Sequence, residues 1–144
     1  MHVPPADRAA RWQAHAQLDR SAAERTADDL WLVACFHAQQ ASGKSLKALL
    51  TIVSGDSVPT HAAATLLRAL ADLGEAVPQN VALAANALDR FYISTRYPDA
   101  LDFADASLVF STDDARRAIA WADAVMTWVD ARIGEMKAIQ PDRF

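Results

Sequence analysis

The chain is poor in the residues on which many folds and chemistries depend. Its 144 residues include one cysteine, four glycines and four histidines. A lone Cys35 closes no internal disulfide, which fits a reducing compartment and excludes a disulfide-stapled scaffold. It lies in an apolar helical run and reads as a small buried hydrophobe. No Cys/His cluster has the spacing of a structural zinc site. Glutamate is confined to Glu24, Glu75 and Glu135, none followed three residues later by histidine, so a di-metal carboxylate centre inside a bundle is excluded. Gly43-Lys44-Ser45 lacks the earlier glycine and the preceding strand of a phosphate loop. No segment reaches the ~20 apolar residues of a membrane span. The opening Met-His-Val-Pro-Pro-Ala-Asp-Arg has no basic flank leading into an apolar core, so a secretory signal is not expected and the protein is expected to be cytoplasmic. A formal charge of −4 and a pI near 5.4 argue against broad nonspecific DNA binding, while leaving room for a local basic cleft.

What is abundant is helix-forming sequence. Alanine is plentiful, and no stretch alternates apolar and polar residues with β-branched enrichment. The expected fold is all-α: a single domain over 1–144, an up-and-down bundle of four to five helices.

A first helix begins after Pro4-Pro5 and carries Trp12, Ala16 (or His15), Asp19 and Ala23 on a thin inner face. Thr26 or Asp28 is expected to cap a second helix that runs to about Val53, a rod of roughly 39 Å at ~1.5 Å per residue. Its expected buried stripe is Leu32, Phe36, Gln39, Gly43, Leu46, Leu50 and Val53, with Gly43 admitting a neighbouring helix. Thr60 is expected to cap a short third helix with Leu66, Leu67, Leu70 and Leu73 inward and Gly74 at its end. Asn80 opens a fourth, with Ala84, Leu88, Phe91 and Thr95 inward, stopped by Pro98. Residues 99–110 form an acidic and aromatic connection pinned by Phe103, Leu108 and Phe110. Ser111-Thr-Asp-Asp114 reads as a capping box for the last helix. That helix has Ile119, Ala122, Val125 or Met126, Val129 and Ile133 inward, and Trp121 and Trp128 on one flank.

One stripe around the second helix from its apolar edge runs His37, Gln40, Lys44, Lys47 and Thr51. With His61 near the start of the third helix and Arg96-Tyr97 at the end of the fourth, these give a set of cationic and amide groups suited to an anion. The candidate site residues are Gln40, Lys44, Lys47, His61, Arg96 and Tyr97. A lysine pair on a helix is usually a solvated face. A functional site requires the set to converge.

Three blocks carry a resemblance. Phe36-His-Ala-Gln-Gln-Ala-Ser-Gly-Lys-Ser-Leu-Lys-Ala-Leu-Leu50, Val58-Pro-Thr-His61 leading to Leu66, and Phe91-Tyr-Ile-Ser-Thr-Arg-Tyr-Pro-Asp99 together resemble the HEPN family (higher eukaryotes and prokaryotes nucleotide-binding domain). The resemblance covers nearly the whole chain. It implies a helical bundle that often forms homodimers and works beside a small nucleotidyltransferase, as a toxin–antitoxin pair or as that enzyme's helical companion. By the same resemblance, Gln39, Gln40, Lys44, Leu46, Lys47 and Ala48 fall on the family's Gln-Gln block, His61 on its loop histidine, and Arg96, Tyr97, Pro98 and Asp99 on its Arg-Tyr-Pro-Asp block.

Two departures narrow the function. Gly43 stands where the family often has glutamate. Ribonuclease members carry a histidine separated from the arginine by four to six residues, and the corresponding positions here are Leu101, Asp102 and Phe103. Acid–base cleavage of RNA needs a group that exchanges protons near neutral pH, for which histidine is the usual choice. The resemblance therefore implies a noncatalytic accessory subunit that holds a nucleotide such as ATP, or another phosphate, without a metal. The alternatives are an RNA-cleaving toxin using His61 across a dimer interface, and a homodimeric interaction module with Trp121 or Trp128 at the contact.

Overall fold

The computed structural model describes residues 2–56, 58–60, 62–94 and 111–144. Among these are five α-helices: α1 Pro5–Thr26, α2 Trp31–Ser54, α3 Ala63–Asp72, α4 Gln79–Ser94 and α5 Thr112–Ile139, followed by a single 3-10 turn, Pro141–Arg143. No strand occurs among the described residues. The all-α bundle expected from composition and periodicity is the fold observed.

Helix α2 is the axis on which α1, α5, α4 and α3 all pack. Its contacts with α1 fix their direction. Arg8 reaches Asp56 while Asp19 reaches His37, so the two helices run antiparallel from a short turn at 27–30. Cross-links from α1 to α5 follow the same logic: Gln13 donates to Asp130 at 2.9 Å, Arg20 to Asp123 at 2.9 Å and Arg116 to Glu24 at 2.6 Å. α5 is thus antiparallel to α1.

Burial on α2 is far wider than one stripe. Ala34, Cys35, Ala38, Ala41, Ser42, Ser45, Leu46, Ala48, Leu49 and Ile52 are all buried, while Leu32, Phe36, Gly43 and Val53 of the expected stripe are only half-buried. Small residues do the packing. Against them α1 sets Ala9, Ala16 and Ala23, seven residues apart and hence on one face, with Asp19 buried on the same face and Trp12 half-buried. Gly43 plays no part in close helix approach, contrary to expectation: a Cβ built there meets nothing within 4 Å. The alanines and serines supply the short side chains that bring the helices together.

The core divides into two regions. Leu46, Leu49, Leu50, Leu66, Leu70, Val129 and Ile133 fill one end. At the other, Phe91 and Leu88 pack among Ala34, Ala38, Ala118, Ala122 and Met126. Both Val125 and Met126 of α5 are buried, so the inner stripe of that helix is broader than a single choice between them.

Helix ends differ in how well local sequence determines them. Ser111 and Asp114 form a reciprocal capping box, as expected. Neither Thr26 nor Asp28 caps α2. The Thr26 hydroxyl donates back to the Ala22 carbonyl at 2.7 Å, Asp28 receives Arg116 at 3.0 Å, and α2 starts after Leu30 without a side-chain cap. Nor does Thr60 cap α3. Its hydroxyl accepts from Ala62, and the first helical N–H, that of Ala63, goes to the Asp89 carboxylate of α4 at 2.6 Å. Helix α4 starts at Gln79, one residue before the expected Asn80 cap, with Pro78 accepting from Val81 and Ala82. Leu73, expected inside, is 46% exposed because α3 stops at Asp72 and Gly74 turns the chain at φ 92°. Trp121 and Trp128 both lie partly buried against the core. Thr95, Phe103, Leu108 and Phe110 lie outside the described residues.

Candidate functional site

The polar stripe of α2 faces the groove it shares with α1, and Asp19 organises it. Placed in a core register between Ala16 and Ala23, this carboxylate is only 10% exposed as a side chain. An isolated buried carboxylate is costly, so it requires partners. One oxygen receives the Lys44 ammonium at 2.6 Å and the other lies 2.7 Å from His37 Nδ1, with His37 and Lys44 two turns apart on α2. Lys44 is therefore neutralised from within the protein. Asp19 was visible in the sequence as an acid among the inner positions of α1. A buried acid there calls for a cation from a facing helix, and it is the packing register of α1 on α2 that makes that cation Lys44.

Lys47 is different. One turn beyond Lys44, it makes no ion pair among the described residues, and its ammonium stands 5.2 Å from the Trp12 ring centroid. Burial, and then the neighbouring charge of Lys44, lower its pKa below the ordinary 10.5. A half-buried cation without a carboxylate favours any anion that reaches it.

Such an approach is open. Trp12, Gln39, Gln40, Gly43, Lys44, Lys47 and Thr60 line a cavity of about 170 Å³. The missing side chain at Gly43 is part of that opening. Gln40 is held in place by a relay: its amide donates to Gln39 at 2.8 Å, and Gln39, which is buried, bonds to Asp89. Burial raises the Asp89 pKa, opposed by hydrogen bonds from the Ala63 backbone and Gln39. The Gln-Gln dipeptide thus divides its work. Gln39 locks α2 to α4 and the start of α3, and Gln40 presents an amide at the cavity.

Of the six candidate residues, the structure brings Gln40, Lys44 and Lys47 to one cavity. His61, Arg96 and Tyr97 lie outside the described residues. Sequence reasoning did not single out Trp12 as a site residue, although an aromatic two helical turns from buried Asp19 was the available signal. Among the described residues no cluster of three or more His, Cys, Asp or Glu side chains could hold a metal ion, and no helix is long and apolar enough to cross a membrane.

A family model for the HEPN domain matches residues 9–133. Among solved structures, the chain is similar to the crystal structure of TT1696 from Thermus thermophilus, with 34% identity over 86% of this chain and 97% of that one and a TM-score of 0.75. It is also similar to ST0689, described as an archaeal HEPN homologue, with 26% identity over 88% of this chain and 98% of that one and a TM-score of 0.70. A comparison with curated proteins found no match.

Proposed function

The chain belongs to the HEPN domain family, and on that premise we propose that it is a binding member that holds the phosphate of a nucleotide such as ATP in the cavity between α1 and α2. The observation that carries this reading is Lys47, a half-buried cation without a carboxylate, beside the Gln40 amide at a cavity of about 170 Å³. In this reading Lys47 supplies the charge, Gln40 a directional donor and Trp12 an aromatic surface. Lys44 tunes the field while remaining bound to Asp19. No group here is assigned a proton-transfer step, and the protein acts as an accessory homodimer beside a separately encoded small nucleotidyltransferase.

Thermal unfolding with and without nucleotide tests this. Ligand at about 100 times its dissociation constant adds about 2.7 kcal/mol to stability. Lys47→Met should abolish that increment while the protein remains folded. A wild type whose melting temperature is unmoved by millimolar nucleotide would overturn the reading. Co-purification with the product of a neighbouring nucleotidyltransferase gene tests the partnership.

A second reading, RNA cleavage, draws on the 2.7 Å contact between His37 and buried Asp19, an orientation suited to a proton acceptor. His37 does not line the cavity that holds Lys47. Incubation of the pure protein with labelled RNA separates the two readings, cleavage that is lost in His37→Ala favouring the second.

A further inference from the structure

Trp12 lines two cavities. Besides the compartment shared with Lys47, a larger one of about 340 Å³ is lined by Arg8, Arg11, Trp12 and His15. These four recur at the i, i+3, i+4, i+7 spacing of one helix face. Arg8 is held by Asp56 at 3.2 Å and by the Gly55 carbonyl, yet its buried Nε has no acceptor among the described residues. Arg11 makes no hydrogen bond or ion pair among them, and both Arg11 and His15 are exposed. Cations on a helix are commonly just solvated. Here they converge on a half-buried aromatic, next to a second cation site, in a protein whose formal charge is −4.

Resting on the nucleotide reading above, we propose that this α1 face is a second subsite, so that the ligand is a short single-stranded oligonucleotide rather than a mononucleotide. Lys47 and Gln40 take one phosphate. Arg11, with His15 and Arg8, takes the next, and a base stacks on Trp12 between them. Aromatic platforms flanked by cations bind unpaired bases, whereas a duplex keeps its bases stacked away from such a ring. The acidic remainder of the surface confines binding to this strip.

The test uses the full-length protein with three probes, AMP, the dinucleotide pApA and inorganic tripolyphosphate, each titrated calorimetrically. The dinucleotide should bind about tenfold tighter than AMP, the increment of one further base and phosphate. In the Arg11→Ala/His15→Ala variant, whose altered residues are exposed, the ratio of the two affinities should fall to about one. AMP binding with no advantage for pApA would overturn the second subsite while leaving the first. An advantage that survives in the variant would overturn the assignment to this face. Tripolyphosphate matching pApA would overturn the oligonucleotide assignment. Failure of all three probes would instead sink the underlying nucleotide reading.

Discussion

Replacing Asp19 by asparagine should loosen the protein and tighten its grip on an anion. The carboxylate is 10% exposed, Lys44 24% and His37 29% as side chains, and the two contacts measure 2.6 and 2.7 Å. Removing one partner of a fully buried ion pair costs about 3–5 kcal/mol. Here the stranded ammonium and imidazole retain some access to water, which reduces the expected loss to about 2–3 kcal/mol. Asparagine keeps the volume, so no cavity contribution is added. For a chain of this size the loss corresponds to a fall in melting temperature of about 6–12 °C. Circular dichroism melts at neutral pH measure it, and a double-mutant cycle with Lys44→Met should return a coupling of about 1 kcal/mol or more. With the internal counter-ion gone, Lys44 joins Lys47 in attracting phosphate, so nucleotide affinity should rise as stability falls. Asp19→Asn within about 0.5 kcal/mol of wild type, or an additive cycle, would refute the reasoning.

Gly43→Ala should stabilise the protein by about 0.5–1 kcal/mol in urea denaturation, because the added Cβ meets nothing and alanine is the better helix former. Gly43→Leu, which fills the cavity, should fold but fail to bind nucleotide. Cys35, whose thiol is pushed up to about 12 by burial and then by Asp114, should resist a thiol reagent at pH 8 until denaturant is added. Because the unfolded thiol ionises near its ordinary 9.0 and the folded one does not, its contribution to stability is intact below about pH 9 and declines by about 1.4 kcal/mol per unit as pH rises toward 12. Cys35→Ala should lessen that alkaline decline. Arg132→Met should cost about 1–3 kcal/mol, since it strands the buried Glu75 that Arg132 meets at 2.7 Å and 3.2 Å, and urea melts should show it.

The sequence carried the bundle clearly wherever large side chains mark a period. The α5 stripe from Ile119 to Ile133 and the Ser111–Asp114 cap are local signals, and the structure keeps both. It was less legible where small residues do the packing. The alanines and serines of α2 are weakly hydrophobic, so the stripe of larger residues stood out instead, and Gly43 was given a packing role that Ala38, Ala41 and Ser45 fill. The starts of α2 and α3 differ from expectation because α2 follows a turn in which the Leu30 N–H donates to Thr26, without a side-chain cap, and the first N–H of α3 is met by Asp89 from another helix, which no local motif encodes. For the site, the spacing of Gln40, Lys44 and Lys47 placed them on one face. It could not tell a lysine neutralised by Asp19 from one left beside Trp12, since that distinction depends on register between α1 and α2.

The chain has only three lysines, Lys44, Lys47 and Lys137, which makes each one resolvable by NMR after lysine-specific carbon labelling. A pH titration of the Lys47 side-chain signal, with and without bound nucleotide, addresses the phosphate site directly. Lys47 should lose its proton below the ordinary 10.5 in the free protein, and its pKa should climb when a phosphate supplies the missing negative charge. A Lys47 titration curve that stays in place under saturating nucleotide would contradict the assignment of this cavity as the phosphate site.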